Sequence, residues 1–306
     1  MLLIPERRRS RRLPTRDPRG ASVSERQRAE QSKWIARADV LRRNEATCFS
    51  SPSDDEVDGF QRAIRAERAS ASGAIKMETI QTIARHAGPR GEVVLRRRLG
   101  EGPSTEELII NGVFAMDSSE TSTERLLGEL AIPSGRAERV LVGGLGLGYT
   151  VAGISAKDVG AIDIMEIEQC LIDWAHQGIT ATLAAAGLDS RIRFHAADVR
   201  LALQGSYDGL VGPWDAIVLD VDNGPDFLIH GENRALYTEA GLRAAYARLA
   251  PGGTLAIWCQ RPAPPLLAVL VRVAASTCEH IIEVSRGERR FRYAIYTLSR
   301  PKDFFG

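Results

Sequence analysis

An apolar strand that runs straight into a glycine-rich turn leaves a chain few folds to choose from. Residues 140–148, Val-Leu-Val-Gly-Gly-Leu-Gly-Leu-Gly, are such a passage. Gly143, Gly144, Gly146 and Gly148 let the backbone turn sharply into a helix and approach a bound group closely, which side chains would prevent. Eighteen residues beyond Gly148 stands Glu166, in Met165-Glu166-Ile167-Glu168 at the end of the next apolar segment. A carboxylate there is placed to accept from ribose hydroxyls. The glycine turn alone also fits plain strand-to-helix packing; the acid at that spacing is what points to a nucleoside.

The surrounding pattern agrees. Apolar runs at 140–142, 161–167, 191–195, 214–219 and 254–258 alternate with helical stretches, the mark of a parallel sheet covered on both faces. Residues 234–249 are predicted as one helix, with Leu236, Ala240, Leu242 and Tyr246 on one side, ended by the Pro251-Gly252-Gly253 turn. Strands at 281–284 and 293–298 give the sheet an antiparallel end. Upstream, 92–99 and 107–116 read as two strands of a small antiparallel sheet, and Leu126, Leu127 and Leu130 recur at helical spacing in a short helix. The expected class is α/β: a methyltransferase-like Rossmann fold, mostly parallel with an antiparallel last strand, preceded by a small antiparallel β domain. The expected domains are a basic arm over 1–75, the β-rich domain over 76–133 and the nucleoside-binding domain over 134–306.

Charge is unevenly spread. Residues 1–43 carry thirteen Arg or Lys against five Asp or Glu, so with a net charge of +1 the rest of the chain sums to −7. A mildly acidic body argues against a broad nucleic-acid surface and suits a cationic ligand. The first 75 residues hold too few aliphatic side chains for a core, and the apolar start at 1–4 is too short for an export signal. No uncharged apolar run reaches the roughly 18 residues that a bilayer span requires, so no membrane partner is expected. Cys48, Cys170, Cys259 and Cys278 form no CxxC pair. Neither a metal site nor a disulfide framework is expected, which fits a reducing, cytoplasmic setting.

Further carboxylates follow the later strands. Asp198, in His195-Ala196-Ala197-Asp198-Val199, is placed to accept from an adenine amino group or to cap the next helix. The fourth strand ends in Leu219-Asp220-Val221-Asp222-Asn223-Gly224-Pro225-Asp226, at the sheet edge where ligands bind. Carboxylates this close repel one another unless a cation or proton sits among them, so Asp220 and Asp222 suit an amine and proton acceptance. The competing reading is a solvated turn with Asp at capping positions. No Lys-Ser/Thr pair follows the glycines, which disfavours a P-loop.

Over residues 77–300 these features resemble the polyamine aminopropyltransferases, the spermidine and spermine synthases and their bacterial relatives. The resemblance rests on Asn111-Gly112-Val113, on Gly143 to Gly148 where the family has GGGDGG, and on Glu166 in a VEID-like stretch. Asp198 sits in a GD-like one, and Asp220-Val221-Asp222 stands where the family has DSSD. It implies a homodimer with decarboxylated S-adenosylmethionine as co-substrate, passing an aminopropyl group to a small-molecule amine such as putrescine. Glu166 would hold the ribose, Asp198 the adenine, Asp220 the amine, and Asp222 would accept the proton. The sequence also departs from the family. Gly146 replaces the acid of the glycine loop, and Ala115 and the stretch Thr121 to Thr123 replace a glutamine and a tyrosine that help hold the diamine. Tyr237 is a candidate for one replacement hydroxyl, against its plainer reading as a helix tyrosine. Methyl transfer from intact S-adenosylmethionine and non-catalytic nucleoside binding remain as rival readings. A cation beside the glycine turn would favour methyl transfer, and an acidic lining would oppose it.

Overall fold

The computed structural model describes residues 78–100, 102–286 and 289–302, so the arm expected over 1–75 lies outside the described residues. Strands β1 (Thr79–Gly88), β2 (Gly91–Leu99), β3 (Thr105–Ile110) and β4 (Val113–Asp117) pair antiparallel in sequence order. The run at 107–116, expected as one strand, is instead a hairpin: Asn111 and Gly112 both take positive φ, 53° and 75°, and turn β3 into β4. Asn-Gly is the pair whose backbone preferences match a tight two-residue turn. Arg96 and Arg98 reach across from β2 to Glu107 on β3 at 2.6 and 3.1 Å, adding polar pairing to the ladder.

Helix α1 (Ser122–Leu130) leads into the larger sheet. Its strands are β5 (Arg136–Gly143), β6 (Asp158–Glu166), β7 (Ile192–Ala196), β8 (Trp214–Leu219), β9 (Leu249–Cys259), β10 (Cys278–Arg286) and β11 (Arg289–Ser299). They lie in the order β10-β11-β9-β8-β5-β6-β7, and β11 runs against both of its neighbours. The mostly parallel sheet with an antiparallel last strand is thus the arrangement expected from the apolar runs. Helices α2 (Tyr149–Ser155), α3 (Gln169–Gln177), α4 (Ala181–Leu188), α5 (Val199–Gln204), α6 (Glu239–Ala247) and α7 (Pro264–Val273) fill the connections.

Both faces of this sheet are buried, and alternation decides which core each residue joins. Val140, Val142, Ile162, Ile164, Ala216 and Val218 enter one core, which continues through Leu127 into Val93, Leu95 and Leu108 of the small sheet. Leu141, Ile217, Leu219, Leu255 and Ile257 enter the other. The two sheets belong to one compact unit, Gly73–Gly306.

The helix expected over 234–249 is divided. Residues Gly231–Tyr237 form a 3₁₀ segment, and Thr238 opens α6 by accepting from the Gly241 N–H at 3.1 Å through its hydroxyl. Competition of a Thr side chain for nearby backbone donors starts a helix afresh. Pro251, Gly252 and Gly253, expected as a turn, are an irregularity inside β9, where pairing to β8 jumps from Trp214–Leu249 to Ala216–Thr254.

Where α1 crosses α2, two glycines face the opposing backbone. A Cβ on Gly128 would lie 2.6 Å from the Thr150 carbonyl oxygen, and one on Gly153 would lie 2.3 Å from that of Arg125. The helices therefore touch main chain to main chain, which brings the first turn of α1 to the edge of the large sheet.

Candidate active site

Strand order reverses between β5 and β8, since β6 and β7 lie on one side of β5 and β8 and β9 on the other. Such a switch opens a crevice at the carboxyl ends of the strands, the usual place for a ligand. Here it holds a cleft of about 840 Å³, a figure that includes the open solvent at its mouth. Gly144, Gly146, Glu166, Asp198, Asp220 and Asp222 all line it, so six of the residues chosen from sequence meet at one place.

The remaining two glycines shape it from behind. A Cβ on Gly143 would meet the Val199 methyls at 3.0 Å, and Gly148, at φ 84°, precedes α2. The tightest point is Gly144, at φ 91°: a Cβ there would lie 2.1 Å from the Asp220 carbonyl oxygen. The Asp220 N–H also donates to the Gly143 carbonyl at 2.9 Å, so β5 and β8 are bound together at the floor.

Glu166 ends β6, buried, with both carboxylate oxygens engaged by the chain itself. Oε2 accepts from the Leu145 N–H and Oε1 from the Glu168 N–H, each at 2.8 Å. Burial raises its pKa, and these donors oppose the rise. Each oxygen keeps a second lone pair for a hydroxyl. Asp198 caps α5 through the Arg200 N–H at 2.8 Å and binds the Arg200 guanidinium at 2.6 Å while still facing the cleft. The capping reading and the cleft placement therefore hold together.

The other side of the cleft is built differently. Asp220 accepts from Thr150 Oγ1 at 2.6 Å, and burial raises its pKa to about 6. Asp222, 5% exposed, accepts from the Ile229 N–H at 2.7 Å through Oδ1, whereas Oδ2 has no hydrogen-bond partner. Burial raises this group too to about 6, with Asn233 and the His230 backbone moderating the rise without meeting Oδ2. Asp226 turns outward to Arg261 at 3.3 Å and takes no part.

Further residues line the cleft, most of them unmarked by any sequence pattern. Glu124, in the first turn of α1, reaches the cleft and is buried; burial and the nearby Asp220 raise its pKa to about 7. An acid in a first helical turn reads as a favourable partner of the helix dipole, so nothing local marks it. Its Oε2 accepts from Thr123 Oγ1 at 2.7 Å, and Thr123 accepts from Trp258 Nε1 at 3.2 Å. Glu168 and His230 face one another at 3.6 Å, with Glu168 Oε1 and His230 Nε2 otherwise without hydrogen-bond partners. Leu108, Ile110, Ala115 and Met116 supply an apolar wall from the small sheet. The Met116 sulfur accepts from the Leu147 N–H at 3.3 Å and lies 2.7 Å from where a Cβ on Gly146 would stand. The missing acid of the glycine turn thus has a physical counterpart: Met116 fills that space. Tyr237 is buried, its hydroxyl lacks a partner, and burial followed by Asp222 raises its pKa; it does not line the cleft.

Among the described residues, no Lys or Arg lines the cleft, and no cluster of metal-ligating side chains is present. No helix there is long and apolar enough to cross a membrane.

No protein-family model matches the chain, and no curated protein matches it. Solved structures do share its fold. Spermidine synthase from Thermotoga maritima superimposes with a TM-score of 0.58 at 15% identity, over 73% of this chain and 74% of that one. A spermidine synthase in complex with the transition state analogue AdoDATO gives 0.55, again at 15% identity, over 73% and 75%. At this identity the likeness establishes the fold: a spermidine synthase-like α/β architecture in which a small antiparallel sheet precedes a methyltransferase-like one.

Proposed function

We propose that the protein is an aminopropyltransferase, moving the aminopropyl group of decarboxylated S-adenosylmethionine to an aliphatic amine such as putrescine. One observation carries this reading: the cleft at the switch point is lined by Glu124, Glu166, Glu168, Asp198, Asp220 and Asp222 and, among the described residues, by no Lys or Arg. The decarboxylated donor brings a sulfonium and an ammonium to that lining. The intact donor would add a carboxylate, which these acids repel.

In the proposed reaction Glu166 accepts from the ribose hydroxyls through its remaining lone pairs, and Asp198 from the adenine amino group. Asp220 holds the amine substrate in place, and Asp222 takes the proton of its attacking nitrogen at Oδ2, the oxygen the chain leaves without a donor. The freed nitrogen lone pair forms a bond to the propyl carbon next to sulfur. The carbon–sulfur pair returns to sulfur, so a neutral thioether, 5′-methylthioadenosine, departs and the new secondary amine carries the positive charge. Because the sulfonium is already activated, alignment does most of the work, and effective molarity contributes up to about 7 to 11 kcal/mol in favourable cases. Proton acceptance adds roughly 10² to 10⁴-fold. The proposal includes a homodimer, read by analytical ultracentrifugation, and a cytoplasmic setting.

Calorimetric titration with decarboxylated and intact S-adenosylmethionine, followed by mass spectrometry of each mixture with putrescine and spermidine, tests it. Preference for the decarboxylated form with release of methylthioadenosine is expected. Preference for the intact form with a methylated product moves the protein to the methyltransferases, and binding without product makes it a non-catalytic nucleoside binder.

A further inference from the structure

Helix α1 carries a carboxyl into the cleft that the fold does not need. Glu124 is 7% exposed, and the groups around it are Asp220 at the end of β8, Thr123 beside it, and Arg286 and Tyr293 from β10 and β11. Arg286 is engaged elsewhere, with Asp117 at 3.2 Å and over the Phe291 ring at 6.0 Å. Removing an ion from water costs several kcal/mol, and a second acid beside it adds repulsion. Yet Glu124 is held in place by the relay from Trp258 Nε1 through Thr123 Oγ1.

Two further observations point to a ligand. Asp222 Oδ2, on the same cleft, is buried without a donor. And the glycine turn presents no side chain at Gly146, where φ is 50° and a Cβ would stand 2.7 Å from the Met116 sulfur. An acid serving a cation here must come from another element, and α1 supplies one.

We infer that Glu124 is the amine-selecting carboxylate of the cleft, holding the far ammonium of a diamine acceptor together with Asp220, while Ala115, Met116 and Trp258 line its hydrocarbon chain. The inference rests on the reading of the cleft as an amine site. It assigns specificity to a residue outside the glycine turn and outside the loop that follows β8. An ammonium offers three donors, enough to bridge two carboxylates.

The test uses the full chain saturated with methylthioadenosine and two probes of equal length, putrescine and n-butylamine, titrated calorimetrically. The native protein should prefer the diamine. Glu124→Gln should lose about 10- to 100-fold in putrescine affinity, the range for a hydrogen bond to a charged group, and with it the preference over butylamine. Its methylthioadenosine affinity should stay unchanged, which shows the fold intact, and Glu124→Asp should regain part of the preference. Retention of the preference in Glu124→Gln overturns the inference and leaves aminopropyl transfer standing, as does failure of the native protein to bind either amine while it turns over another acceptor. Loss of the preference in a protein that forms no methylthioadenosine from the decarboxylated donor does the reverse: the carboxylate assignment stands and the proposed reaction falls.

Discussion

The two halves of the cleft use the same residue types to opposite ends. On the glycine side, Glu166 spends both oxygens on the Leu145 and Glu168 N–H groups, and Asp198 is committed to the Arg200 backbone and guanidinium. These acids tie the chain to itself. On the other side, Asp222 keeps an oxygen without a donor, and Glu124 and Asp220 stand close enough to raise the Glu124 pKa. These acids are costs to the empty protein. The contrast teaches that the first half is scaffold, its acids paired with the chain's own donors, whereas the second keeps buried acid oxygens that the chain does not pair, which is what the proposed cationic substrate requires.

The sharpest way to break this contrast is Asp222→Asn. It should lower kcat about 10² to 10⁴-fold, the range for losing a proton acceptor, and leave methylthioadenosine affinity alone. An equal loss of nucleoside affinity would mean that the halves are not separate. Next in size is Glu166→Ala, which strands two buried N–H donors at about 1–3 kcal/mol each. A fall in melting temperature on the order of 10 °C is expected by calorimetry, and native-like melting would remove the scaffold role.

A third, smaller effect is one of pH. Glu124, Asp220 and Asp222 have folded pKa values of about 7, 6 and 6 against ordinary values of 4.5, 3.8 and 3.8. The folded state therefore holds protons that the unfolded chain has released, and its stability must fall as pH rises. Their contribution is fully present below about pH 4 and is lost as pH climbs through 6 and 7. Glu124→Gln should flatten this slope and stabilise the unliganded protein at pH 8 by on the order of 3 kcal/mol. Denaturant midpoints across pH 4–8 read it, and a slope unchanged by the substitution would show that Glu124 is not strained. The smallest effect belongs to Asp198→Asn, which keeps a capping oxygen. Loss of the partly exposed pair with Arg200 should cost no more than about 1 kcal/mol, while weaker nucleoside binding at intact stability would isolate the adenine contact.

Legibility in the sequence followed how local each cause was. The large sheet could be read because its strands are apolar on both faces, as in the run 140–142, and because glycines and acids fall where those strands end. The glycine side of the cleft was legible for the same reason. Strand β1 was not: every residue of Thr79–Gly88 is at least partly exposed, so no buried alternation marks it. The Asn111-Gly112 hairpin carried a clear signal that was overrun by the apolar residues on both sides of it. Thr238 divided a helix because a single hydroxyl competed for a backbone donor. Glu124 and Met116 reach the cleft only through packing of the small sheet and α1 against the large sheet, and neither position differs locally from an ordinary helix charge or strand methionine.

The main-chain contact between α1 and α2 sets how far the sequence around this cleft can drift. At Gly128 and Gly153 the smallest addition, one methyl, falls well inside van der Waals distance of a carbonyl oxygen. Neither oxygen can swing aside as a side-chain tip would. A library randomised at both positions and selected for folding should return glycine at each, with no second substitution on the opposing helix able to restore the fit. Two positions with no chemistry of their own are thereby among the least replaceable in the protein.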